Sequence, residues 1–107
     1  MGYRLKVTKR AEELLDSLVC YFLLELGNEP AVGRLMDEVE KIYGCLECNP
    51  LQFPISCDEY LYKKGYREGI VPGMGYRIVF CLDSRTVTIL GIFHWVENFQ
   101  GKFIIER

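Results

Sequence analysis

The stretch "YREGIVPGMGYRIVFCLDSRTVTILGIFHW", Tyr66 to Trp95, decides the fold. It holds three apolar runs, at about 66–71, 76–82 and 86–95, broken by "PGMG" and "DSR". Gly, Pro, Asp and Ser at the breaks are turn formers, so the stretch predicts a three-stranded antiparallel meander. Alternate residues of a strand face opposite sides. Tyr76, Ile78, Phe80 and Leu82 therefore share one side of the middle strand, and Arg77, Val79 and Cys81 the other. In the last strand Val87, Ile89, Gly91 and Phe93 share a side, with Thr86, Thr88, Leu90, Ile92 and His94 opposite. A tight turn at Asp83–Ser84 sets Cys81 across from Thr86 and Arg77 across from Leu90. That register places Arg77, Thr88, Leu90 and His94 on one open face, and packs Phe80 and Phe93 on the helices. If Val71 pairs with Tyr76, Arg67 lies on the buried side. An unpaired cation is costly to bury, which favours a one-residue slip or a bulge that brings Arg67 to the Arg77 face.

Upstream, "YRLKV" alternates, with Tyr3, Leu5 and Val7 on one side of a half-buried strand. Thr8 can cap the helix that follows. Ala11, Leu14, Leu15, Leu18, Phe22 and Leu26 recur at helical spacing, and Gly27 ends the run. Pro30 suits the first turn of a second helix. Its stripe is Ala31, Leu35, Val39 and Ile42, and Gly44 can close it. So short a connection makes the pair an antiparallel hairpin. "CLECNPLQFPISCDE" is irregular, because Pro50 and Pro54 prevent a long element. Tyr60, Tyr62 and Tyr66 read as strand packing. The tail, residues 98–107, fits a short helix or a last strand. The order predicts an α+β fold: an N-terminal strand, a two-helix hairpin and a three-stranded antiparallel meander, with helices on one face of the sheet.

The chain has 107 residues, half of them hydrophobic, enough for a single domain over 1–107 with one small core. No apolar run reaches membrane-span length and the start does not resemble a signal peptide, so a soluble cytoplasmic protein is expected. Five cysteines at 20, 45, 48, 57 and 81 read as reduced thiols. Cys45 and Cys48 have no second pair at zinc-ribbon spacing, and neither metal nor cofactor is expected. A net charge of −2 gives no global attraction to nucleic acid, so any polyanion site must be a local cluster.

A first strand, a helical hairpin, "LECNP", and "GYRIVFCLDSRTVTILGIFHW" together resemble the RelE/ParE superfamily of bacterial toxins. The likeness spans about Tyr3 to Phe99. It implies a toxin of a type II toxin–antitoxin system, neutralised by a cognate antitoxin that wraps it with a helix or an added strand. The RelE-like branch cleaves ribosome-bound mRNA, and the ParE-like branch inhibits DNA gyrase without chemistry of its own. Arg77 falls at the strand arginine that contacts the scissile phosphate in the RelE-like branch. His94 falls at the late-strand histidine of the YoeB-like branch, and Arg67 lies near a basic position of the preceding strand. Trp95 stands where that branch has a tyrosine. The second lysine, an acidic general base and a strongly basic composition have no match here.

On that likeness the expected chemistry is metal-independent. Arg77 holds the phosphate, His94 gives or takes a proton near neutral pH, and Arg67 assists. The plainer reading makes Arg77 an exposed strand residue paired with Glu or Asp, His94 a structural residue and Trp95 core. Gyrase inhibition, placed in the hairpin and tail, and an inactive toxin fold are the other readings. An isolated toxin of this kind is also open to self-association through its apolar surface.

Overall fold

The computed structural model describes residues 2–56 and 58–94. Strand β1 (Arg4–Val7) leads into helix α1 (Lys9–Cys20), which widens into a π-helical turn over Tyr21–Glu25. Helix α2 (Glu29–Cys48), a short helix α3 (Glu59–Lys63) and strands β2 (Arg67–Val71), β3 (Tyr76–Asp83) and β4 (Thr86–His94) follow. The sheet order is β1-β4-β3-β2. β1 runs parallel to β4, and β2–β3 and β3–β4 are antiparallel. Returning the chain parallel to β1 needs a long crossover, which the helices and meander supply. This is the α+β fold the alternation predicts.

The helix starts follow local chemistry. The Thr8 hydroxyl accepts the Ala11 amide at 3.0 Å and the Asn28 carboxamide accepts the Ala31 amide at 3.2 Å. Each satisfies an amide that the first turn of a helix leaves without a partner. The ends depart from expectation. The Leu26 amide bonds the Tyr21 carbonyl five residues back, so the last turn of the first helix is π-helical. The added residue rotates Leu26 off the buried stripe, leaving it 52% exposed. Gly27 then takes a φ of +58°, a left-handed conformation that favours glycine. Gly44 does not end α2. The helix runs on to Cys48 and stops before Pro50, whose ring disfavours helical backbone at Asn49. Tyr60 and Tyr62 lie on α3, not on a strand. Asp58 nucleates that helix by accepting the Leu61 amide at 3.2 Å.

The main core lies between the helical hairpin and the sheet. Leu35, Val39, Ile42 and Leu46 of α2 meet Val71, Ile78, Phe80, Val87, Ile89 and Ile92 there. A second, smaller core covers the other face. Leu61 of α3 packs with Val79, Leu90 and Phe93, flanked by Tyr60, Tyr66 and Cys81. The face expected to be open, the Arg77 face, is thus covered by the segment before β2.

The register also differs from the expected one. The β3–β4 turn falls one residue later, pairing Asp83 with Thr86 and Cys81 with Thr88. A β-bulge then interrupts the ladder, so Phe80 pairs with Ile89 but Val79 with Gly91. Leu90 is the extra residue, and beyond it every side chain of β4 changes face. Arg77 pairs with Phe93 and Tyr76 with His94. Phe93 consequently packs in the smaller core and Phe80 in the larger one. β2 keeps the unslipped register, with Val71 on Tyr76 and Arg67 on Phe80.

Two glycines test these packing statements. A Cβ at Gly91 would lie 2.6 Å from the Phe93 ring and 2.9 Å from Leu14, beside the bulge. Gly91→Ala should cost about 1–3 kcal/mol by overpacking. Gly44, exposed inside α2, has nothing within 4 Å of its Cβ position. Gly44→Ala should stabilise by about 0.5–1 kcal/mol. Thermal melts of both variants check this pair of opposite signs.

Candidate functional site

Arg77 is positioned by β3 and its neighbour β2. Its guanidinium Nη1 donates to Glu68 Oε1 at 2.8 Å, and the two residues are 8% and 7% exposed. Ser56 Oγ donates to the same oxygen at 3.0 Å and accepts the Asp58 amide at 3.1 Å. A carboxylate, a guanidinium and a hydroxyl thus form a sealed polar cluster under α3. Charge is compensated inside it, so the cation is not presented to solvent. An anion that displaced the Glu68 carboxylate from this guanidinium would leave it buried without its cation, which costs about 3–5 kcal/mol. Cys81 lies on the same face. Burial, together with the Asp83 charge, pushes its thiol up from the ordinary value despite a hydrogen bond to Thr88. It is the protonated, poorly nucleophilic form that dominates at neutral pH.

His94 ends β4 on the opposite face and is exposed. Its ring meets Tyr76 edge-on, with centroids 5.3 Å apart and planes at 82°. Together they border a groove of about 320 Å³, lined also by Leu14, Ser17 and Leu18 of α1, Tyr21 of the π turn and Ile92. The groove contains an imidazole, two phenols and a hydroxyl, but no lysine or arginine among its described lining residues. Arg67 reaches neither place. It stands at the start of β2 and its Nη1 donates to the Phe53 carbonyl at 2.6 Å. Half-buried and bonded there, it avoids the cost that argued for a slipped register.

Arg77, His94 and Arg67 are therefore not gathered on one surface. The expectation that Arg77 and His94 share an open face is overturned by the bulge at Leu90 and by the cover that α3 provides. Glu68 and Ser56 escaped the sequence reading, although one signal was available. Once Val71 pairs with Tyr76, Glu68 falls on the Arg77 face, two residues along from the pairing partner Ile70. Tyr76 and Tyr21 carried no such signal, because the bulge and the π turn bring them to His94. Trp95 and the tail lie outside the described residues. Among the described residues, no cluster of three or more His, Cys, Asp or Glu is placed to hold a metal ion. Nor is any helix among them long and apolar enough to cross a membrane.

The buried pair makes a prediction that separates folding from function. Arg77→Ala strands the Glu68 carboxylate and should lower stability by about 3–5 kcal/mol. The double variant Glu68→Leu/Arg77→Met removes both charges and should melt close to or above the wild type, within about 1–4 kcal/mol. Urea denaturation of the three proteins checks the order.

No protein-family model and no curated protein matches the chain. Among solved structures, it is similar to a chain of the "Chromosomal ParDE TA system from P. aeruginosa". The two share 22% identity and superpose with a TM-score of 0.68, over 86% of this chain and 95% of that one. So long an overlap at so low an identity fixes the architecture alone: the chain has a ParE/RelE-like fold.

Proposed function

We propose that the chain is the toxin of a toxin–antitoxin pair and that it acts by binding its target, in the manner of the ParE-like branch, rather than by cutting RNA. The observation that carries this reading is the sealed Glu68–Arg77 pair on the face opposite His94. In-line attack of a ribose 2′-hydroxyl on phosphorus needs a cation at the phosphoryl oxygens while a base and an acid move protons. Here the candidate phosphate ligand is committed to a carboxylate, and the candidate proton carrier stands across the sheet from it. The net charge of −2 points the same way, since binding to ribosomal RNA rests heavily on lysine and arginine contacts to phosphates. The similar solved chain comes from a ParDE system, which supports a co-expressed antitoxin as the natural partner of this protein.

DNA gyrase is the target this reading names. Expression of the chain without its antitoxin should halt DNA synthesis before protein synthesis. The purified protein should inhibit gyrase supercoiling and leave ribosome-bound mRNA intact. Cleavage of ribosome-bound mRNA that His94→Ala abolishes would overturn the proposal. So would a chain that arrests neither process. Pulse labelling of DNA and protein, followed by primer extension on ribosomal mRNA, reads all of these outcomes.

A further inference from the structure

The C-x-x-C pair at the end of α2 belongs neither to the two cores nor to the groove beside His94. Cys45 and Cys48 are both exposed free thiols. They stand at i and i+3 on the last turn of α2 and so lie on one side of it. That turn is held firmly. Leu46, between them, is fully buried, and the Glu47 carbonyl accepts the Tyr3 amide at 2.8 Å. The Asn49 amide bonds the Cys45 carbonyl, also at 2.8 Å, and closes the helix.

Their spacing decides between two uses of a dithiol. Residues at i and i+3 on a helix hold their Cβ atoms about 5–6 Å apart. A disulfide requires about 3.5–4.5 Å, so it would have to draw in a turn that Leu46 and Glu47 hold in place. Two thiolates on one metal ion need no such movement. Metal–sulfur bonds of about 2.3 Å set the sulfurs about 4.6 Å apart when the three atoms are in line. The electrostatics favour a cation as well. A helix C-terminus carries about half a negative charge, and α2 has no basic residue in its last turn to offset it. The Glu47 side chain adds an exposed carboxylate there. The cations nearby are already engaged: Lys41 pairs with Glu38 at 3.6 Å, and Arg85 donates to the Gly2 carbonyl at 3.0 Å over the Tyr3 ring.

We propose that Cys45 and Cys48 form a two-thiolate site for a soft monovalent cation, Cu(I) being the biological example. Each thiol releases a proton as its sulfur–metal bond forms, and no electron moves. Thiolates select Cu(I) and zinc among the common metals. Zinc takes four ligands, and no third His, Cys, Asp or Glu among the described residues completes a larger group here. The lack of a second pair at zinc-ribbon spacing thus excludes a four-thiolate centre and leaves a two-thiolate one.

The test titrates the reduced full chain with Cu(I), without oxygen, against a coloured Cu(I) chelator. One ion should bind per chain, and X-ray absorption should show two sulfur neighbours. Cys45→Ser and Cys48→Ser should each weaken binding about 100-fold, because each removes the chelate. Both positions are exposed, so serine is accommodated at either. Cys20→Ser removes an exposed thiol that has no second cysteine one turn away, and it should leave the affinity unchanged. Undiminished binding by Cys45→Ser/Cys48→Ser would overturn the proposal. So would tighter binding of Zn(II) than of Cu(I), more than two sulfur neighbours, or a loss on Cys57→Ser as complete as on Cys45→Ser. Gyrase takes no part in the measurement, so failure of the target assignment and failure of the metal site are read separately.

Discussion

Leu90 is the residue on which the arrangement of this sheet turns. It adds one position to β4 without adding one to β3, so the ladder slips between Val79 and Phe80. Side-chain period in a strand is two, and a slip of one exchanges the faces for all that follows. Ile92 and His94 thereby join the side of the helical hairpin, and Phe93 joins Val79 and Leu61. Gly91 beside the bulge accommodates the Phe93 ring, which folds back over its backbone. The residue types at 90 and 91 are thus matched: an extra large side chain that can be buried, and a neighbour with none.

The exchange of faces makes the smaller core workable. With Phe93 and Leu90 delivered to it, α3 has an apolar surface on which Leu61 becomes fully buried. Closing that surface traps Arg77; Glu68 accepts its N–H, and Ser56 donates to the same carboxylate oxygen. A buried ion pair contributes little net stability compared with apolar residues of the same size, but it penalises any packing that separates the partners. Here it ties three places together: the loop before α3, β2 and β3. The ordering of the loop and the neutralisation of the guanidinium are one event.

Most of the architecture was legible in residues with local meaning. Thr8 and Pro30 mark helix starts, and Gly27 marks a stop, because each satisfies or frees specific backbone groups. The paired turns "PGMG" and "DSR" bracket the strands they were expected to bracket. The candidate site was far less legible. Its geometry depends on a bulge, a π turn and the docking of α3, each decided by tertiary packing and not by local propensity. Gly44 shows the same limit on a smaller scale: a helix held by Leu35, Val39, Ile42 and Leu46 passes through it. The turn after β3 falls one residue later than expected, because Ser84 adopts a φ of +59°, a left-handed conformation uncommon for serine.

The loop that brings Ser56 to Glu68 has a second effect at the margin of the sheet. Ile55 bridges Arg67, the Ser56 amide bonds the Tyr66 carbonyl, and the Glu68 amide bonds the Pro54 carbonyl. The first half of β2 is therefore already occupied by its own upstream chain. At the opposite margin β1 is only four residues long and bears the exposed cations Arg4 and Lys6. Short, charged or self-covered borders of this kind discourage end-on stacking of one sheet against another. A protein so bounded can leave leucines standing in water at the far end of its hairpin without growing into fibres.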